Sequence, residues 1–119
     1  MPHGLDASVV ARIQGVFAHY PQIDKAVLYG SRAKGNHRPE SDIDITLLGN
    51  ALSADILARI ALELDELLLP YTIDLSLMAQ LDNNALIDHI ARVGVTFYVR
   101  SESATPSGTP AAVQSVSNR

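Results

Sequence analysis

The chain has 119 residues, a formal net charge of -4 at pH 7 and no cysteine. That length holds one modest core and excludes a second catalytic domain; the acidic balance excludes the basic surface on which non-specific nucleic-acid binding rests. The missing cysteines exclude disulfides and thiolate metal sites, and the segment Met1-Pro2-His3-Gly4-Leu5-Asp6 lacks a basic-then-apolar leader profile, so with no apolar run of about 18 residues a soluble, cytoplasmic protein is expected.

In chain order, Val9, Ile13, Val16, Phe17 and Tyr20 recur at helical spacing over residues 6–20, with Asp6 or Ser8 as cap and Pro21 as stop. The run Lys25-Ala26-Val27-Leu28-Tyr29 reads as a short buried strand ended by Gly30. A polar loop over 36–40 leads to a second strand over 42–48. There Asp42, Asp44 and Thr46 share one face, and Ile43, Ile45 and Leu47 the other. After Gly49-Asn50, Ser53 caps a helix whose stripe of Ile56, Leu57, Ile60, Leu64, Leu67 and Leu68 runs until Pro70 and reads as core. Residues 71–78 alternate again, with Tyr71, Ile73, Leu75 and Leu77 opposite Thr72, Asp74, Ser76 and Met78. A last helix over 83–93 buries Leu86, Ile87 and Ile90, with Arg92 in its final turn and Gly94 as C-cap, before an edge strand over 95–99. The order predicts a small α/β (α+β) domain over 1–100, a mixed sheet flanked by helices. Residues 101–119, poor in large apolar side chains, are expected to form a disordered tail.

Two short motifs carry chemistry. Gly30-Ser31-Arg32-Ala33-Lys34-Gly35 places a glycine at a strand end, where the backbone can turn sharply and its amides can face an anion. Gly30 and Ser31 would cradle phosphate, while Arg32 and Lys34 could neutralise a polyphosphate. A P-loop shares the four-residue gap between glycines, but Asn36 and His37 stand where it needs Lys and Ser or Thr. In Ser41-Asp42-Ile43-Asp44-Ile45 the two aspartates, their Cα atoms about 6.6 Å apart at strand rise, project from one face. Such a pair can serve divalent ions that activate an attacking oxygen and stabilise a leaving group; oxygen ligands and a triphosphate favour Mg²⁺. Asp74 adds a third carboxylate on a polar strand face, as a further ligand or an acceptor of a hydroxyl proton. His3, His19, His37 and His89 lack zinc-site spacing, and the aromatic residues Tyr29, Tyr71, Phe97 and Tyr98 are too scattered for a base-stacking platform.

GSRAKG, then SDIDI, then IDLSL resemble the three-part motif of the DNA polymerase β-like nucleotidyltransferase superfamily, and within it the minimal nucleotidyltransferase (MNT) branch, over roughly residues 6–100. The resemblance implies a polymerase β-like palm fold. It implies that Gly30 and Ser31 hold the terminal phosphates of the nucleotide and that Asp42, Asp44 and Asp74 are catalytic and bind metal, two Mg²⁺ ions with ATP as donor. Lys34 stands where the family commonly has Arg, a point charge in place of a planar fork. The implied reaction is attack of an acceptor hydroxyl on the α-phosphate, leaving NMP on the acceptor. Relatives that modify antibiotics or RNA generally add a domain that grips the acceptor, and this chain ends where that domain would begin. The implied role is therefore an antitoxin that transfers AMP to a tyrosine of a HEPN RNase toxin; a non-catalytic antitoxin or adaptor, and a free-standing transferase for a small molecule or RNA, are the alternatives.

Overall fold

The computed structural model describes residues 4–35, 38 and 41–100, so most of the 36–40 loop and the tail expected over 101–119 lie outside the described residues. The elements are α1 (Ala7–Phe17), β1 (Lys25–Tyr29), α2 (Ser31–Lys34), β2 (Ile43–Leu48), α3 (Ala54–Asp65), β3 (Ile73–Leu77), a 3₁₀ turn (Met78–Gln80), α4 (Asn84–Val93) and β4 (Val95–Val99). One four-stranded sheet forms in the order β3-β2-β1-β4. The central strand β1 is antiparallel to both β2 and β4, whereas β2 and β3 run parallel, joined by α3 as parallel pairing requires. The mixed sheet and the edge position of β4 agree with the sequence reading.

Alternation along the strands divides the sheet into two faces. Residues paired across strands share a face, so Ala26 and Leu28 line up with Leu47 and Ile45, and these with Leu77 and Leu75. Ile13, Val16 and Phe17 of α1 and Ile60 and Leu64 of α3 complete this core with Ile43 and Phe97. Phe17 meets Phe97 edge-on at 6.3 Å between ring centroids, and Gln14 Nε2 donates to the Phe97 carbonyl at 2.8 Å, fastening α1 to the edge strand.

Of the three longer helices, two start with a side-chain cap. Ser53 Oγ accepts from the Ile56 amide and Asn83 Oδ1 from the Leu86 amide, each satisfying an amide the helix leaves open. Asp6 stands at the N-cap of α1 but makes no side-chain cap bond. α3 ends at Asp65, short of the apolar stripe: Leu67 packs on the core, but Leu68 is left-handed at φ 56° and 88 % exposed. Among the described residues, no helix is long and apolar enough to cross a membrane.

α4 lies on the opposite sheet face. A Cβ at Gly94 would stand 2.7 Å from Val27 Cγ1 and 2.4 Å from the Ile90 carbonyl oxygen, so glycine lets the end of this helix close on β1. Its φ of -60° and ψ of 140° are extended backbone rather than the left-handed cap that a terminal glycine suggests.

Candidate active site

β1 delivers the chain to Gly30, whose φ of 77° and ψ of -155° fall in a region essentially restricted to glycine. A second constraint adds to the first: a Cβ at this position would lie 2.2 Å from Asp44 Oδ2. The turn backbone is therefore packed directly against a carboxylate of the next strand. Beyond it the chain makes a single helical turn, with Lys34 N donating to the Gly30 carbonyl at 3.1 Å and Gly35 N to the Ser31 carbonyl at 3.0 Å. Gly35, at φ 85°, ends that turn.

Asp44 and Asp74 occupy matching positions on β2 and β3, and Tyr29 on β1 is the partner of Asp44 on its other side. Neighbouring strands run about 4.8 Å apart, so two carboxylates and a phenol stand in one row. Asp42, one residue ahead of β2, falls on the same face by alternation. Asp42 and Asp74 are exposed, while Asp44 is half-buried. Burial raises the Asp44 carboxyl above its ordinary pKa, and the charges of Asp74 and Asp42 raise it further. The Tyr29 phenol is likewise raised, by burial first and then by Asp74 and Asp44, with the Ser76 hydroxyl opposing. One step deeper on this face Thr46 is fully buried, and its Oγ1 has no hydrogen-bond partner.

The three carboxylates thus share a face and a field, yet among the described residues no group of three or more His, Cys, Asp or Glu side chains is drawn together closely enough to hold a metal ion. Like charges on adjacent strands oppose such closeness.

Ser31 is half-buried at the start of α2 and Lys34 exposed at its end, both beside the turn. Arg32 departs from the expectation that it faces a polyphosphate. It is 1 % exposed, its Nε and Nη2 donate to the Ser41 carbonyl at 3.2 and 3.0 Å, and its guanidinium lies 5.0 Å from the centroid of the Tyr71 ring. A planar fork over one carbonyl and one ring is an inward anchor. It ties α2 to the residue just ahead of Asp42.

Two residues of the site escape a sequence reading. Tyr29 looks like the last apolar residue of a strand, and His89 invites only a zinc-ligand reading. Yet the Gly30 amide donates to His89 Nε2 at 3.2 Å, and the His89 ring meets Tyr29 edge-on at 6.3 Å. No local pattern announces this, since 59 residues separate His89 from Gly30; only its place beside Ile90, on the border of the buried face of α4, hints at an inward ring. A separate cavity of about 210 Å³, lined by Ala61, Leu64, Tyr71 and Ile73 among others, contains none of the three carboxylates.

A family model described as Polymerase beta, Nucleotidyltransferase matches residues 11–103. No curated protein matches the chain. Among solved structures, a toxin–antitoxin structure with AMP-PNP is similar with a TM-score of 0.61 and 20% identity, over 82% of this chain and 77% of that one. The toxin–antitoxin MntA-HepT gives a TM-score of 0.58 and 19% identity, over 79% and 73% of the two chains. The tri-AMPylated Shewanella oneidensis HEPN toxin in complex with MNT antitoxin gives 0.58 and 19%, over 77% and 71%. At these identities the likeness is one of fold.

Proposed function

The chain belongs to the polymerase β nucleotidyltransferase family, whose fold its mixed four-stranded sheet and flanking helices reproduce, and on that premise we propose that it is a Mg²⁺-dependent cytoplasmic antitoxin that transfers AMP from ATP to a tyrosine hydroxyl of a HEPN RNase toxin. One observation carries the reading: Asp44 and Asp74 stand in register on adjacent strands, with the Gly30 turn packed on Asp44. The character of the similar solved structures supports it, since they are toxin–antitoxin complexes, one with AMP-PNP and one with a tri-AMPylated HEPN toxin.

The donor set is oxygen-only and suits a hard cation, because Asp42, Asp44 and Asp74 lie on one sheet face, where a positive charge would offset their mutual repulsion. Asp42 and Asp44 would hold Mg²⁺, with Asp74 as a third ligand. Bound there, the ion supplies positive charge to the triphosphate. The backbone of the Gly30 turn and the hydroxyl of Ser31 orient the terminal phosphates, and Lys34 adds an exposed cation at the rim. In the transfer the acceptor oxygen bonds to the α-phosphorus while the bond to the oxygen bridging the β-phosphate breaks. Pyrophosphate leaves, and the hydroxyl proton passes to the Asp74 carboxylate.

The test is to purify the chain with its co-expressed toxin, add ATP and Mg²⁺, and weigh the toxin by intact mass spectrometry. An AMP adduct is expected with the wild type and none with Asp42→Ala plus Asp44→Ala. A wild type that leaves every candidate toxin unmodified with any NTP sinks the catalytic reading. Arg32, turned inward rather than toward a phosphate, favours a second reading, an antitoxin that masks its partner by binding alone. Toxin inhibition without nucleotide, unchanged in the double variant, selects it.

A further inference from the structure

We propose that His89 is the positioning residue of the Gly30 turn: its neutral imidazole, reaching across from α4, holds the glycine amide and so fixes the phosphate-gripping backbone against Asp44. The inference rests on the nucleotidyl-transfer reading for its functional consequence and on the following contacts for its geometry.

An amide N–H can only donate, so His89 Nε2, 3.2 Å from Gly30 N, must present a lone pair, and the ring proton belongs on Nδ1. The ring is steered by its edge-on contact with Tyr29, the residue immediately before the turn. Gly30 is thereby held from two sides, by the imidazole at its nitrogen and by the Asp44 carboxylate where a Cβ would be. Glycine is free to adopt many other dihedrals, so contacts on both sides are what select this one. The Gly30 carbonyl also accepts from Lys34 N, but the sheet ladder stops short of the turn, since Tyr29 is the last residue of β1 to pair with β2. α4 is brought within reach by the close approach at Gly94, so the helix that covers the polar sheet face also supports the turn.

Three variants separate the lone pair from the ring. His89→Phe keeps a ring for Tyr29 and loses the acceptor; His89→Gln keeps an acceptor and loses the ring; His89→Met stands in if the Phe variant fails to fold. Two readouts are taken on the full chain with its co-expressed toxin, the KM and kcat for ATP in the adduct assay and the hydrogen exchange of the Gly30 amide, with the Leu28 amide as a control for an intact sheet. His89→Phe is expected to raise KM by about tenfold with kcat within about threefold, the scale of one hydrogen bond, and to lose protection at Gly30 but not at Leu28. His89→Gln is expected to recover most of both. Wild-type KM and Gly30 protection in the Phe variant, or a Gln variant no better than Phe, would overturn the positioning role while leaving nucleotidyl transfer standing. A wild type that makes no adduct overturns the parent reading, and with it the functional role of His89, whatever the exchange shows.

Discussion

The two faces of the sheet are built from the same strands and do opposite things. On the α1/α3 face, Leu28, Ile43, Ile45 and Leu47 are at most 1 % exposed and belong to one apolar core cluster. On the α4 face the intervening residues include Tyr29, Asp44, Asp74 and Thr46, which carry a raised carboxyl, a raised phenol and an unpartnered hydroxyl. A strand period of two lets one segment, Ile43–Leu48, serve both. The difference teaches that the stabilising and the chemically costly contacts are interleaved residue by residue, so the apolar face must offset what the other costs. Stability and activity should therefore separate when neighbouring residues are changed.

The largest expected effect on stability lies on the apolar face. Ile45→Ala removes a fully buried side chain at the centre of the core and should lower unfolding free energy by about 2 to 5 kcal/mol, read by denaturant titration. If the cost is no larger than that of changing its neighbour Asp44, the division between the faces fails. Gly30→Ala comes next, at about 1 to 3 kcal/mol, because alanine must adopt a glycine-only conformation. Its new Cβ must also displace the Asp44 carboxylate. Adduct formation should fall far more than stability does. A Gly30→Ala protein with wild-type transfer would show that the turn and Asp44 do not act together.

Much of this division was legible in the sequence. Asp42, Asp44 and Asp74 fall on polar faces by simple alternation, and Gly30 ends its strand as a turn glycine should. What alternation cannot convey is what lies above each face. Thr46 was expected on the same working side as Asp44 but is fully buried, in a sheet face whose central strand α4 approaches closely at Gly94. Arg32 reads as a phosphate ligand because it is a cation beside a glycine turn. Its direction depends on Ser41 and on Tyr71, which is 39 residues further along the chain and belongs to the segment entering β3. Leu68 extends a helical stripe in spacing, yet α3 has ended by Asp65 and the residue points to solvent. Local period predicts which residues share a face; the partners that turn a face into core or site come from long-range packing.

The smallest effects should appear in the pH dependence, where two carboxylates respond with opposite signs. Asp44 is raised in the folded chain, mainly by burial and then by its acidic neighbours. The folded state therefore binds its proton more tightly than the unfolded state does, and the resulting stability is fully present below the unfolded pKa and lost as pH rises through the folded one. Glu63, where α3 meets the residues that follow α1, is lowered, by the hydrogen bond from Tyr20 first and by that from His19 next. Its contribution is present above the unfolded pKa and lost as pH falls through the folded one. Denaturation midpoints measured across the acidic range should separate them: Asp44→Asn should be more stable than the wild type at pH 7 and converge with it in acid, whereas Glu63→Gln should be slightly less stable at pH 7 and likewise converge in acid. The Glu63 effect should be the smaller, because its pair with the exposed His19 is screened by solvent. An Asp44→Asn protein that loses stability at neutral pH would mean that Asp44 is held by favourable contacts, and the α4 face would then share in stabilising the fold.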